Sequence, residues 1–262
     1  MGVHAFEYLA GLVSGVAGGL LSGLFGLGGG LVLIPLLGAF LKLPQHQAQG
    51  LTLAAMLLPN GLPAVLEYRR RGVRLWMHLT GFLVLGFLVG AWGGAEVAHL
   101  IPAREMRWIF IAFLCVMAVR TLLKHKDKAG QELSRSLSAG ESWLPGVLIG
   151  LSGGLASGLL GIGGGVIMIP MLAGWLKLSQ HEAQLASLAM MIPPIGLPAV
   201  WVYARSQGGL PWFILGGVAC GFLVGAYLGA RVAARVRGPK LRLWFACITL
   251  AMAVLLALKG GR

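Results

Sequence analysis

Apolar residues run in long blocks along the chain, and polar ones gather in short clusters between them. In the first half the blocks cover residues 8–25, 31–41, 45–66, 75–98 and 106–123. Four of them approach the roughly 20 residues that a helix needs to cross a hydrocarbon core. The block 31–41 is too short to span, and it follows Gly26-Leu27-Gly28-Gly29-Gly30, a run that breaks a helix because glycine gains so much backbone freedom on unwinding. The block 45–66 holds Pro59, Gly61 and Pro63, which predict a break or kink near its middle, either fixed or acting as a hinge.

The pattern returns after 135 residues: 22–70 aligns with 157–205 without a gap and with more than half of the positions identical. The same offset aligns GFLVGA at 86–91 with GFLVGA at 221–226, so the duplication covers whole helical blocks. The chain therefore divides into a first repeat, 1–123, a polar linker, 124–142, and a second repeat, 143–262, within one integral membrane domain. In each repeat the first two blocks form either one interrupted crossing or a re-entrant hairpin. With the hairpin, each repeat has three full crossings and the second repeat is inverted. Then 15 of the 21 Lys and Arg residues fall on one face and 6 on the other, the bias expected of a cytoplasmic face. The interrupted crossing divides them 12 to 9 and leaves little bias. The expected fold is thus an all-α polytopic membrane protein of two inverted repeats, with the linker cytoplasmic and both termini periplasmic. Trp76, Trp108, Trp143, Trp212 and Trp244 stand at block edges, where interfacial indoles are expected, and Tyr68 and Tyr203 are placed as further anchors.

Composition narrows the class. Of 262 residues 57% are hydrophobic and 11% charged, against roughly 25% charged in a soluble domain, and mean hydropathy is +0.83. The 42 glycines follow no collagen repeat. The net charge of +13 lies in short clusters between blocks, so it reads as topology signal and no nucleic-acid partner is expected. Residues 1–8 carry no basic start of a signal peptide, and the first block is expected to be mature structure. Cys115, Cys220 and Cys247 stand singly inside apolar blocks, which fits buried thiols better than a disulfide or metal framework.

Candidate chemistry centres on the glycines. Those at 11, 15, 18, 19, 23 and 26, and at 146, 150, 153, 154, 158 and 161, make a small-residue stripe suited to close helix packing. The runs 26–30 and 161–165 leave unpaired backbone N–H groups at membrane depth, which is tolerated where the backbone is buried in protein or lines a cavity. If Leu31 and Val166 each begin a short helix, stiffened by Pro35 and Pro170, the free N–H groups and the positive dipole ends make an anion site. Two inverted copies would bring both tips together near the midplane, as in inverted-repeat transporters. A nucleotide-binding reading of the glycine run fails because no strand precedes it. The candidate substrate-binding residues are Gly28, Gly29, Gly30, Gly163, Gly164 and Gly165, the hydroxyls Thr52 and Ser187, the amides Gln49, Gln184 and Asn60, and His46 and His181. The histidines read more readily as helix-end residues, His181 within the Ser179/Glu182 capping box, and the hydroxyls equally as back-bonded to their own helix. The eight acids all fall in loops or near block ends, which agrees with an anion site. No catalytic pair, metal site or cofactor is expected, so the chain is not expected to be an enzyme.

Two copies of G-L-x-G-x-G-G-G followed by a proline, then a short segment and H-x-A-x-G-x-[ST]-L, resemble the sulfite exporter TauE/SafE family of membrane permeases. The resemblance covers both halves. It places the glycine signature on Gly26, Gly28, Gly29 and Gly30 and on Gly161, Gly163, Gly164 and Gly165. It places the second element, A-x-G-T-S-L in many members, on 48–53 and 183–188, with one hydroxyl per half and without the glycine in the second. It implies a secondary permease of the bacterial inner membrane for a small, sulfur-containing anion such as sulfite or an organosulfonate. The expected partners are that substrate, the lipid bilayer and, compatibly, further copies of the chain. An anion channel of opposed re-entrant loops and a cysteine-based sulfur-relay protein are the alternatives.

Overall fold

A computed structural model describes residues 2–25, 29–58, 62–70, 72–123, 139–206, 208–233 and 238–259. Among them are twelve helices and no strand. The first half contributes α1 (Gly2–Phe25), α2 (Gly30–Phe40), α3 (Gln45–Ala55), α4 (Leu62–Arg70), α5 (Met77–Leu100) and α6 (Ala103–Leu123). The second contributes α7 (Ala139–Leu160), α8 (Gly165–Trp175), α9 (Gln180–Met190), α10 (Leu197–Ser206), α11 (Trp212–Ala233) and α12 (Gly238–Lys259). The short helices α2 and α8 begin at the expected glycine breaks. The long third block is divided into α3 and α4, and its counterpart into α9 and α10, at the proline-bearing segments. Four described helices are long and apolar enough to cross a membrane: Ala5–Leu24, Met77–Leu100, Gly140–Leu160 and Trp212–Gly229.

Long helices pair across the halves: α1 packs on α11, α5 on α7 and α6 on α12. The first two pairs are built by glycines from both partners. A Cβ at Gly15 or Gly19 would run into the α11 backbone at Val218 or Phe222, and one at Gly221 or Gly225 into the α1 backbone at Leu12 or Val16. Gly150 and Gly154 meet the backbone of Leu83 and Phe87 in the same way, answered by Gly86 and Gly90 against Val147 and Leu151. In lipid, association rests on van der Waals contact more than on burial of apolar area, so such close backbone approach is what joins these helices. Gly18 and Gly153 face the other way, onto Leu33 of α2 and Met168 of α8, so one stripe holds both a long and a short neighbour.

α2 lies at the centre, with Leu31 through Leu37 all buried. Outward faces carry large apolar side chains, among them Val13, Leu85, Val89, Trp92, Val116 and Val254. Trp108, Trp143, Trp212 and Trp244 are exposed as expected of interfacial residues, whereas Trp76 is partly buried against the core with its indole nitrogen enclosed. The cysteines differ from expectation. Cys220 and Cys247 lie exposed and only Cys115 is partly buried, because a helix in lipid can present a weakly polar thiol outward.

Candidate functional site

Both short helices start from bare glycine turns. Gly29 is the N-cap of α2 and Gly164 that of α8, and neither helix has a side-chain cap. The amides of Val32 and Leu33 both bond to the Gly29 carbonyl, at 3.1 and 2.9 Å, and those of Ile167 and Met168 to that of Gly164, at 3.2 and 3.0 Å. The amides of the first two residues, Gly30 and Leu31 or Gly165 and Val166, stand at the positive helix end, equivalent to roughly half a charge. Gly161 and Gly163 have φ of +72° and +75°, left-handed values that explain why this turn needs glycine there. Gly28 and Asn60 lie outside the described residues.

The turns are pressed together by side chains of the opposite half. The Phe222 ring of α11 covers Gly29, and Phe87 of α5, its equivalent at the 135-residue offset, covers Gly164. At Gly30 the two turns touch: a Cβ there would lie 2.5 Å from both the Gly161 carbonyl oxygen and Ile162 Cα. The Gly163 side is looser. Its nearest neighbours to an added Cβ are Met56 Sδ at 3.5 Å and Met191 Cε at 3.7 Å. Thr52 and Ser187 stand one helical turn before those methionines, on the same faces of α3 and α9. Both are buried, and Thr52 Oγ1 has no hydrogen-bond partner among the described residues.

The amides hold the broken helices. Gln49 is fully buried against Gly161, and its Nε2 donates to the Leu159 carbonyl at 3.2 Å. Tyr203 of α10 donates to the Gly158 carbonyl at 2.9 Å and lies 3.2 Å from Gln49 Oε1. In the other half Tyr68 of α4 donates to Gln184 Oε1 at 2.8 Å. Tyr203 is therefore no interfacial anchor: its hydroxyl is spent on carbonyls of the interior, where water cannot serve them. His46 is buried between Gln49 and the Ile101 carbonyl, while His181 is exposed beside the Tyr68 ring. Helix α9 starts with the expected capping box, Glu182 N donating to Ser179 Oγ at 3.2 Å and Ser179 N to Glu182 Oε2 at 3.0 Å.

Sequence reasoning missed Phe87, Phe222, Met56, Met191 and His99, and misread Tyr203. The doubled GFLVGA motif was the available sign for the two phenylalanines. Among the residues whose side chains are described no carboxylate is buried, and helix ends, hydroxyls and amides are among the polar groups at the turns.

The sulfite exporter TauE/SafE family matches residues 11–256. A probable membrane transporter protein, YdhB, of Bacillus subtilis (strain 168) is 29% identical over 218 residues, covering 81% of this chain and 85% of the relative. A probable membrane transporter protein of Haemophilus influenzae is 27% identical over 268 residues, covering 95% and 97%. One from Methanocaldococcus jannaschii, MJ0441, is 25% identical over 167 residues, covering 62% and 60%. No solved structure matches the chain. With the match running through both glycine turns and nearly end to end, the chain belongs to the sulfite exporter TauE/SafE family and is a membrane transporter.

Proposed function

We propose that this chain is a secondary transporter of a small, sulfur-containing anion such as sulfite or an organosulfonate. The anion is held at the bare N-terminus of α8 beside Gly163, with Thr52 and Ser187 as hydroxyl donors and Met56 and Met191 as walls. The observation that carries this reading is the Thr52 hydroxyl, fully buried without a hydrogen-bond partner among the described residues, one turn from a methionine that faces an uncapped helix start. A buried hydroxyl without a partner costs about 1–3 kcal/mol, so an occupant that accepts its proton accounts for its presence.

The two repeats are inverted, each with a re-entrant hairpin, and rocking of one against the other exposes the site alternately. The chain sits in the bacterial inner membrane with residues 124–142 cytoplasmic and both termini periplasmic. Burial of Gly29, Gly30, Gly164, Gly165, Thr52 and Ser187 favours a carrier closed in this state over an open channel. The test is counterflow in proteoliposomes. Labelled sulfite or isethionate should enter faster when the vesicles hold unlabelled anion, and Gly164→Leu should abolish that exchange. Uptake without trans-stimulation would make the protein a pore, and wild-type exchange by both Gly164→Leu and Gly29→Leu would remove the turns from the mechanism.

A further inference from the structure

We propose that His46 is the proton-binding residue of the transport cycle, a role that rests on the transporter reading above. His46 stands near the start of α3 and is 8% exposed. Its Nδ1 lies 3.2 Å from Gln49 Oε1, and its Nε2 lies 3.1 Å from the Ile101 carbonyl oxygen. Both neighbours are acceptors. A neutral imidazole has one N–H and one lone pair, so either tautomer sets a ring lone pair against an oxygen. Turning the Gln49 amide over gives Nδ1 a donor, but it then sets Gln49 Oε1 against the Leu159 carbonyl, 3.2 Å from the present Nε2. The Tyr203 proton cannot relieve this, because it goes to Gly158 at 2.9 Å. Only the doubly protonated ring makes every one of these contacts a donor meeting an acceptor.

The surroundings of the ring agree. From α5, His99 faces it with centroids 5.3 Å apart, and from α10, Tyr203 at 6.3 Å. Ser206 donates to the Tyr203 carbonyl at 3.1 Å, so its oxygen accepts from His99 Nε2 at 2.9 Å and His99 is satisfied as a neutral ring. The charged groups on the packed helices are peripheral: Glu96 one turn before His99, Arg205 on α10, Arg104 and Glu105 on α6 and Arg231 on α11 are exposed, and Arg107 is half-buried. Cys220 and Tyr227 of α11 also face outward, Cys115 of α6 is partly buried, and α2 carries no titratable residue. Ile101 caps the C-terminus of α5, so its carbonyl belongs to the negative end of that helix and opposes the positive start of α3.

The link to transport is Gln49. Its side chain fills the space against Gly161, where an added Cβ would lie 2.9 Å from Gln49 Cβ. When His46 gives up its Nδ1 proton, the contact with Oε1 turns from bond to repulsion, and the amide is released from the Leu159 carbonyl beside the glycine turn. One proton on His46 with one monovalent anion moves no net charge. The duplicate His181 is exposed and Gln184 accepts instead from Tyr68, so the first repeat alone encloses its histidine.

Two measurements test this. Ring-nitrogen NMR of 15N-histidine-labelled protein in lipid nanodiscs, assigned by loss of one signal in His46→Gln, should show both His46 nitrogens protonated at pH 6. A singly protonated tautomer there overturns the proposal. In proteoliposomes with an internal pH dye and an imposed gradient of isethionate, which carries no proton of its own, the wild type should move protons with the anion. His46→Gln should lose that flux to the level of protein-free vesicles and flatten the pH profile of counterflow. A variant that still moves protons with isethionate overturns the proposal. Should the wild type carry neither isethionate nor sulfite, the anion reading falls, while the ring nitrogens still report on His46.

Discussion

Gly30 meets Gly161 backbone to backbone, with room for a hydrogen but not for a methyl group: an added Cβ would lie 2.5 Å from the Gly161 carbonyl oxygen. This contact joins the start of α2 to the turn before α8, and so couples the two halves where the helices break. The obstacle is backbone, which cannot rotate away as a side chain can. Gly30→Ala should therefore lower the thermal midpoint of the purified protein, with a cost of about 1–3 kcal/mol, and reduce uptake at least tenfold. Gly81→Ala and Gly174→Ala, where nothing lies within 4 Å, serve as controls. They should be neutral or stabilising by up to about 1 kcal/mol. An unchanged midpoint in Gly30→Ala would contradict the close contact.

Thr52→Val keeps the shape of the side chain and removes a hydroxyl that has no hydrogen-bond partner among the described residues. Stability should hold or rise, by up to about 1–3 kcal/mol, while anion uptake falls at least tenfold. The opposite pattern, normal uptake with lost stability, would mark the hydroxyl as structural.

Tyr68 and Gln184 come from different repeats and share a 2.8 Å hydrogen bond. A double-mutant cycle of Tyr68→Phe and Gln184→Leu, read by thermal or denaturant unfolding, should give a coupling of about 1 kcal/mol. Tyr203→Phe should cost more than Tyr68→Phe, because it leaves the enclosed Gly158 carbonyl without its 2.9 Å donor. Equal losses would show that the two tyrosines do the same work.

Lys42 and Lys177 follow α2 and α8 with φ of +53° and +54°, left-handed values that strain any residue with a Cβ. Glycine at either position relieves about 1 kcal/mol of that strain, offset in part by its larger unfolded-state entropy. Lys42→Gly and Lys177→Gly should thus raise the midpoint slightly. A clear fall would mean that the ammonium groups, near the negative ends of the short helices, contribute more than the strain costs.

Some of this architecture is local and could be read along the chain. The glycine runs 26–30 and 161–165 end one helix and start another because glycine is the residue least held in a helix. The prolines and glycines at 59–63 and 194–198 predict the division of the third block, and α4 and α10 begin within those segments. The Ser179/Glu182 box depends on residues three apart and was legible for the same reason. The packing role of Gly15, Gly19, Gly150 and Gly154 was also legible from spacing alone.

The duplication and the length of each apolar block are properties of the sequence by itself, since they require only counting along one chain. What faces each glycine, and which partner each buried polar group finds, was decided by how separate helices dock, across 110 residues for Gln49 and Leu159 and across 45 for Tyr203 and Gly158. Gln49 bonds to Leu159, and Tyr203 to Gly158, because α3 and α10 reach the end of α7, a register that no local pattern encodes. Tyr203 looked like an interfacial anchor because a tyrosine at the end of an apolar helix suits lipid headgroups or an interior carbonyl equally well. The same holds for His46 and His181, equivalent in sequence: a carbonyl at the end of α5 encloses one of them, and the other remains exposed.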